Sequence, residues 1–287
     1  MGRVPMKKYL VDDTDYYVYS RGRGPILLFA HGFPFDSRLF VPVVDLLESR
    51  FHCVVPDLRG FGMTKLGANG HNPEGHPRVK MGRYADDLAI LTAILACQEH
   101  NKDAKIILCG LSMGGYISLS FARRHPERLD GLIFCDSNTT QDPPEKVQSR
   151  LAHADAVDAT NVAQTVENMI PTLLCGETLE HRHDIVEQLR TIMRSQTPAA
   201  FAAASRGMAK RVDSSDVLAQ ITAPTLVLGG EYDQLSNVAC LDAIAAKIPN
   251  STRATIPHSG HLPPLENPEA FAKAVVKWYD EKIGSTH

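Results

Sequence analysis

Residues 105–126 constrain the fold more tightly than any other stretch of the chain. Lys105-Ile106-Ile107-Leu108-Cys109 is short, apolar and partly β-branched, the pattern of a strand buried on both faces. It runs into GLSMGG, residues 110–115, and residues 116–122 follow at helical density. That run closes on Arg123-Arg124-His125-Pro126, with cations in the last turn and then a proline. A strand that turns into a helix over so few residues forces the positions two before and two after Ser112 together, so both must lack side chains. Gly110 and Gly114 meet that requirement. Ser112 is then either a side chain held out on a sharp corner or a helix N-cap behind a glycine-rich loop.

The surrounding chain repeats the same alternation. Strand-like runs fall at residues 16–20, 26–30, 53–56, 132–135, 225–230 and 252–256, and helical patterns at 39–47, 82–100 and 268–282. Pro268 behind Asn267 marks the start of the last helix. This βαβ rhythm predicts an α/β fold with a mostly parallel central sheet flanked by helices. The rhythm lapses over residues 138–222, which offer helical patterns at 186–193 and 199–208 and no convincing strand. The expected organisation is therefore one core domain from residues 1–137 and 223–287, interrupted by a helical cap at 138–222. The loop at 65–80 is long, and no metal site is expected at its His71 and His76.

Composition narrows the ligand. Formal net charge is -3 with both signs interspersed, which gives no basic stripe for nucleic acid and no polybasic helix for a membrane surface. Six cysteines (Cys53, Cys97, Cys109, Cys135, Cys175, Cys240) lack metal-ligand spacing and read as reduced, mostly buried small hydrophobes. The first six residues lack a signal-peptide core, and no window approaches a membrane span, so the expected compartment is the cytoplasm. A small neutral or weakly charged molecule is the expected partner.

A serine hydroxyl needs a base in hydrogen-bond reach, itself oriented by a carboxylate, before it attacks anything. In an open parallel sheet, reactive groups gather where strands end. After the 225–230 strand comes Glu231-Tyr232-Asp233-Gln234, and after 252–256 comes Pro257-His258-Ser259-Gly260-His261. Asp233 and His261 are the expected partners. Glu231 sits one residue past its strand, Asp136 follows the 132–135 strand as a second location for the acid, and His258 lies almost on its strand end. Asp57, in Pro56-Asp57-Leu58-Arg59-Gly60-Phe61-Gly62, reads as part of a structural loop. Donors for a developing oxyanion would be the backbone N–H of Met113, at a helix N-terminus, and that of Phe33 in His31-Gly32-Phe33-Pro34.

These stretches, taken in order with Glu266 and Pro268 behind Gly260-His261, resemble the α/β-hydrolase superfamily over nearly the whole chain. Within it, GLSMGGYISLSFARRHPERLDGLIFCDS, MIPTLL and LENPEAF are similar to the carboxylesterase and 3-oxoadipate enol-lactonase-like branch. The resemblance implies a serine hydrolase of a small carboxylic ester or lactone, with Ser112, Asp233 and His261 as its triad and no metal or organic cofactor. An enol-lactonase, a cofactor-free perhydrolase or lyase, and a non-enzymatic ligand receptor are the alternatives on the same fold. Serine in place of aspartate at residue 112 counts against the haloalkane dehalogenases and epoxide hydrolases, and the elbow departs from the Gly-Gly-Ser-Trp-Gly form of proline iminopeptidases. Phe35, Arg38, Met169 and Ile170 are candidate pocket residues. Met169 and Ile170, with Leu173 and Phe201, equally fit the packing of cap helices on one another. Arg38, similar in place to an arginine of enol-lactonase-like sequences, either meets a substrate carboxylate or pairs with Asp36.

Overall fold

The computed structural model describes residues 5–98, 105–159 and 162–284. Its strands are β1 (Met6–Val11), β2 (Thr14–Arg21), β3 (Ile26–Ala30), β4 (His52–Pro56), β5 (Ile106–Leu111), β6 (Leu129–Cys135), β7 (Thr225–Gly230) and β8 (Ser251–Ile256). They form one sheet in the order β1-β2-β4-β3-β5-β6-β7-β8. The β1–β2 and β2–β4 pairs are antiparallel and the remaining pairs parallel. Every residue of β3, β5 and β7 is buried, which is why these strands read as unbroken apolar runs rather than alternating ones.

Three helices precede or follow the early strands: α1 (Val41–Leu47), α2 (Met81–Gln98) and α3 (Met113–Arg124). Between β6 and β7 lie α4 (Pro144–Ala159), α5 (Ala163–Leu173), α6 (Gly176–His181), α7 (His183–Arg194), α8 (Pro198–Ala209) and the single turn α9 (Ser215–Leu218), with no strand among the described residues. The chain closes with α10 (Val238–Ala245), α11 (Pro263–Glu266) and α12 (Pro268–Lys282). On α7 the buried residues Ile185, Val186, Leu189, Ile192 and Met193 recur at helical spacing and make one apolar stripe. Asn267 caps α12 by accepting a hydrogen bond from the Ala270 N–H, with Pro268 at the first helical position.

One apolar core lies on each face of the sheet. Phe29, Phe40, Cys109 and Trp278 belong to one, which continues under α5 and α7, and Leu28, Leu108, Tyr84 and Phe121 belong to the other. Trp278 sits so closely on β6 that a Cβ at Gly131 would meet its ring. Strand β1 was not expected from the sequence. Its lysines face outward and only Tyr9 and Val11 are buried, as suits an edge strand carrying charge. A 3₁₀ turn at Ser37–Phe40 takes up the beginning of the predicted 39–47 helix. The last two residues of the predicted 82–100 helix, and Met1–Val4, fall outside the described residues. No described helix is long and apolar enough to cross a membrane.

Candidate active site

Ser112 stands between β5 and α3 with φ 56° and ψ -113°, a backbone conformation that a residue with a side chain adopts at a cost of roughly 1–3 kcal/mol. The surroundings hold it there. Its N–H donates to the Cys135 carbonyl at 3.0 Å, and its carbonyl accepts from Ser137 Oγ at 2.7 Å and from the Gly115 N–H at 2.9 Å. A Cβ at Gly110 would collide with the Gly114 carbonyl and Ser118 Oγ, and one at Gly114 with the Ala30 carbonyl. The flanking glycines are therefore a steric requirement of the corner. Ser112 makes no side-chain cap on α3, so the N-cap alternative does not describe it.

The loops after β7 and β8 bring two further side chains to the hydroxyl. His261 Nε2 lies 2.8 Å from Ser112 Oγ, and His261 Nδ1 lies 2.9 Å from Asp233 Oδ2. A carboxylate only accepts, so Nδ1 carries the proton and Nε2 is left to accept from the serine. Asp233 also accepts from the N–H groups of Leu235 at 2.8 Å and Ser236 at 3.1 Å. Burial opposes its charge, but the bonds and charge from His261, together with bonds from Asp136 and the Leu235 N–H, hold Asp233 below the ordinary carboxylate range.

The His261 loop is anchored by a carboxylate. Glu266 accepts from the N–H of Gly260 and of Cys175, both at 2.8 Å, while the His261 N–H donates to the Leu173 carbonyl at 2.9 Å. Glu266 was a sequence landmark without an assigned task; its position five residues past His261, opening toward α12, was the available signal. His258 points elsewhere. Its side chain is 66 % exposed and its Nδ1 pairs with Glu177 at 2.9 Å, while Glu231 accepts from the His258 N–H.

Asp136 is not the group that meets the histidine, yet it belongs to the same cluster. It is fully buried with φ 41°, and its Oδ1 accepts from the Gly230 N–H at 2.9 Å. Burial, then the Asp233 charge and a hydrogen bond to Asp233, push its carboxyl well above the usual range. Two carboxyls in contact inside the protein do not both ionise, so Asp136 is the neutral donor and Asp233 the charged acceptor. One ligand atom from each of Asp136, Asp233 and His261 lies within 4.8 Å of the others, close enough to hold a cation. Their donors and acceptors are instead matched to one another in a hydrogen-bonded series.

Gly32 places the loop after β3 against the serine, for a Cβ there would lie 3.1 Å from Ser112 Cβ. Among the described residues no group accepts from the N–H of Phe33 or Met113. His31 fastens this loop: its Nδ1 faces the Gly32 carbonyl at 2.8 Å and its Nε2 accepts from the Leu58 N–H at 3.1 Å. Burial lowers its pKa to about 4, so the ring is neutral. Asp57 braces the next segment by accepting from the N–H groups of Ser37 at 3.0 Å and Met63 at 2.8 Å. Burial and the nearby Asp36 charge raise it to about 6.

The expected pocket residues separate. Met169 lines a cavity of about 350 Å³ that also touches Phe33. Phe35 is fully buried and packs in the core with Leu39 and Phe40. Ile170 lies in the same core, on the buried stripe of α5 with Val166 and Leu173. Phe201 is also buried and meets the Phe33 ring edge-on at 5.2 Å. Arg38 makes a two-pronged pair with Asp36, at 2.9 and 2.6 Å, and donates to Ser195. Gln196 joins that junction, donating to Asp36 and accepting from the Gly62 N–H, both at 2.8 Å. Arg38 thus ties the loop after β3 to the inserted helices and does not line the cavity at Phe33.

Eight strands in this order, a strained serine between β5 and α3 and a hydrogen-bonded histidine and carboxylate on later loops define a hydrolase scaffold, and the chain belongs to the α/β hydrolase fold family, whose model matches residues 25–268. Among individual proteins it is similar to a thermophilic esterase from Thermogutta terrifontis solved with malate bound, with 36% identity, a TM-score of 0.89 and coverage of 97% of this chain and 99% of that one. It is 28% identical to the pimeloyl-[acyl-carrier protein] methyl ester esterase of Aeromonas hydrophila over 260 residues, 88% of this chain and 95% of that protein. It is 24% identical to 3-oxoadipate enol-lactonase 2 of Acinetobacter baylyi over 261 residues, 91% of each.

Proposed function

We propose that the chain hydrolyses a small carboxylic ester or lactone through an acyl-enzyme on Ser112. The observation that carries this reading is the unbroken hydrogen-bond series from Ser112 Oγ through the His261 ring to Asp233, which begins on a serine held in a strained conformation. Ser112 Oγ attacks the carbonyl carbon as its proton passes to His261 Nε2. Asp233 keeps the imidazole in the required tautomer and offsets the imidazolium charge that follows. The N–H groups of Phe33 and Met113 stabilise the oxyanion, with the positive end of α3 behind Met113. His261 then protonates the departing alkoxide, and water, activated by the same ring, releases the acid and regenerates the hydroxyl. A lactone follows the same steps with its alcohol still tethered.

The esterase and enol-lactonase relatives support this class of reaction. The haloalkane dehalogenase relative, 25% identical, does not carry its chemistry over on this reading, because the side chain at the elbow is a hydroxyl and not a carboxylate. The test is turnover of aryl esters graded in acyl length beside simple lactones, by the natural chain and by Ser112→Ala. Turnover lost in the folded variant is the expected result. Turnover retained excludes Ser112 as the nucleophile.

A further inference from the structure

The cavity at Phe33 has a one-sided chemistry. Lys146, Arg150 and His153 fall four and three residues apart on α4 and all line it, as residues on one helix face do. Ser205 of α8 and Met169 of α5 line it too, and among the described residues no aspartate or glutamate does, in a chain with 33 acidic and 30 basic residues. The carboxylate that serves these cations is Asp142, buried behind them. It accepts from Arg150 Nε at 2.6 Å and from Arg211, and lies 3.7 Å from Lys146 Nζ, so three cations share one negative charge. Among the described residues Arg150 Nη1 donates only to the Met208 thioether, at 3.5 Å, a weak acceptor. His153 Nε2 is buried without a hydrogen-bond partner among the described residues. Burial, then the Arg150 charge, lowers the pKa of that ring, leaving a neutral imidazole able to donate one hydrogen bond.

We propose that this cavity is an anion subsite of the ester-hydrolase site, and that the substrate carries a carboxylate remote from its scissile carbonyl, as a half-ester of a dicarboxylic acid does. Arg150 and Lys146 supply the charge and His153 Nε2 supplies a donor that otherwise has no acceptor. Phe33 joins the two halves, because it lines the cavity and directly follows Gly32, where a Cβ would lie 3.1 Å from Ser112 Cβ. The inference rests on the ester-hydrolase reading and assigns to α4 the cationic role that Arg38, which does not line this cavity, does not fill.

The experiment compares kcat/KM for two nitrophenyl esters of matched length, one with a neutral acyl chain and one a half-ester ending in a carboxylate. The natural chain is expected to prefer the half-ester. In Arg150→Gln the ratio of half-ester to neutral ester should fall at least tenfold, mostly through KM, and Arg150→Lys, which keeps the charge, should restore much of it. If Arg150→Gln does not fold, Lys146→Gln on the exposed end of the cavity decides, with a fall of a few-fold expected. A ratio that is unchanged in these variants while both esters are still cleaved overturns the subsite and leaves the hydrolase reading standing. Cleavage of neither ester by the natural chain overturns the hydrolase reading itself.

Discussion

Two buried polar clusters, one around Arg59 in the loop that follows β4 and one around Ser112, are built on opposite plans. Around Arg59, fully buried, every partner is matched. Asp87 accepts from its Nε and Nη2 at 2.7 and 3.0 Å, Asp13 and the Leu66 carbonyl accept from its Nη1 at 2.6 and 2.7 Å, and Tyr16 donates to Asp87 at 2.7 Å. Around Ser112 the hydrogen bonds are also made, but on a strained frame. Two carboxyls face each other, Ser112 and Asp136 both take positive φ, and the serine hydroxyl remains partly open to solvent. A balanced cluster fastens the β1–β2 hairpin, the 57–67 loop and α2 together. A strained one costs stability and is kept in place by everything around it, which is the expected character of a reactive site.

The comparison is broken if the two clusters respond alike to mutation. Ser112→Ala should lower kcat by roughly 10⁶-fold while leaving the thermal midpoint unchanged or raised, measured by ester turnover and calorimetry on one preparation. Asp233→Asn should cost roughly 10⁴-fold in kcat by disturbing the His261 tautomer. His258→Ala should keep most activity where His261→Ala loses it; the reverse would move the base to the exposed ring paired with Glu177. Arg59→Met should do the opposite of Ser112→Ala. It removes the buried partner of Asp87 and leaves it with Arg83 and Tyr16, so stability should fall by about 3 kcal/mol while kcat per folded molecule changes little.

Smaller effects sharpen the same contrast. His31 is neutral in the fold, with its pKa lowered from 6.5 to about 4. The folded chain therefore binds fewer protons than the unfolded chain in that window, and stability falls as pH drops from 6.5 toward 4. Relative to His31→Gln, the natural chain should lose roughly 3 kcal/mol over that window, read from denaturant midpoints at each pH. An unchanged gap would mean that the His31 ring charges freely. At Asp136, asparagine keeps a neutral donor for Asp233 and an acceptor for the Gly230 N–H, so kcat should stay within about threefold. Alanine, which supplies neither, should cost about tenfold. Equal losses in the two variants would contradict the neutral-donor assignment.

Much of this molecule was legible because its signals are local. Residues 105–115 reveal a buried strand, a corner that admits no side chain at Gly110 or Gly114, and a helix start. The order of strand ends then draws attention to Asp233 and His261, which the structure brings into one hydrogen-bonded series with Ser112. What was not legible depends on distant partners. The Arg59–Asp87–Asp13 cluster joins residues separated by 28 and 46 positions, and Glu266 reaches Cys175 across 91. Phe35 and Arg38 illustrate the same limit. Nothing in Phe33-Pro34-Phe35-Asp36-Ser37-Arg38 reveals that Phe35 lies in the core and that Arg38 is taken up by Asp36 and Ser195. Strand β1 escaped because its outward lysines give an edge strand a polar pattern.

The central claim is that Ser112 carries the acyl group, and the most direct measurement is covalent capture. The natural chain is incubated with a fluorophosphonate, digested and mapped by mass spectrometry, alongside Ser112→Ala and His261→Ala. The account predicts a single adduct on the peptide containing Ser112, its formation slowed by competing ester substrate, absent in Ser112→Ala and strongly slowed in His261→Ala. An adduct on another residue, or ester turnover by folded Ser112→Ala at a rate near that of the natural chain, would contradict it.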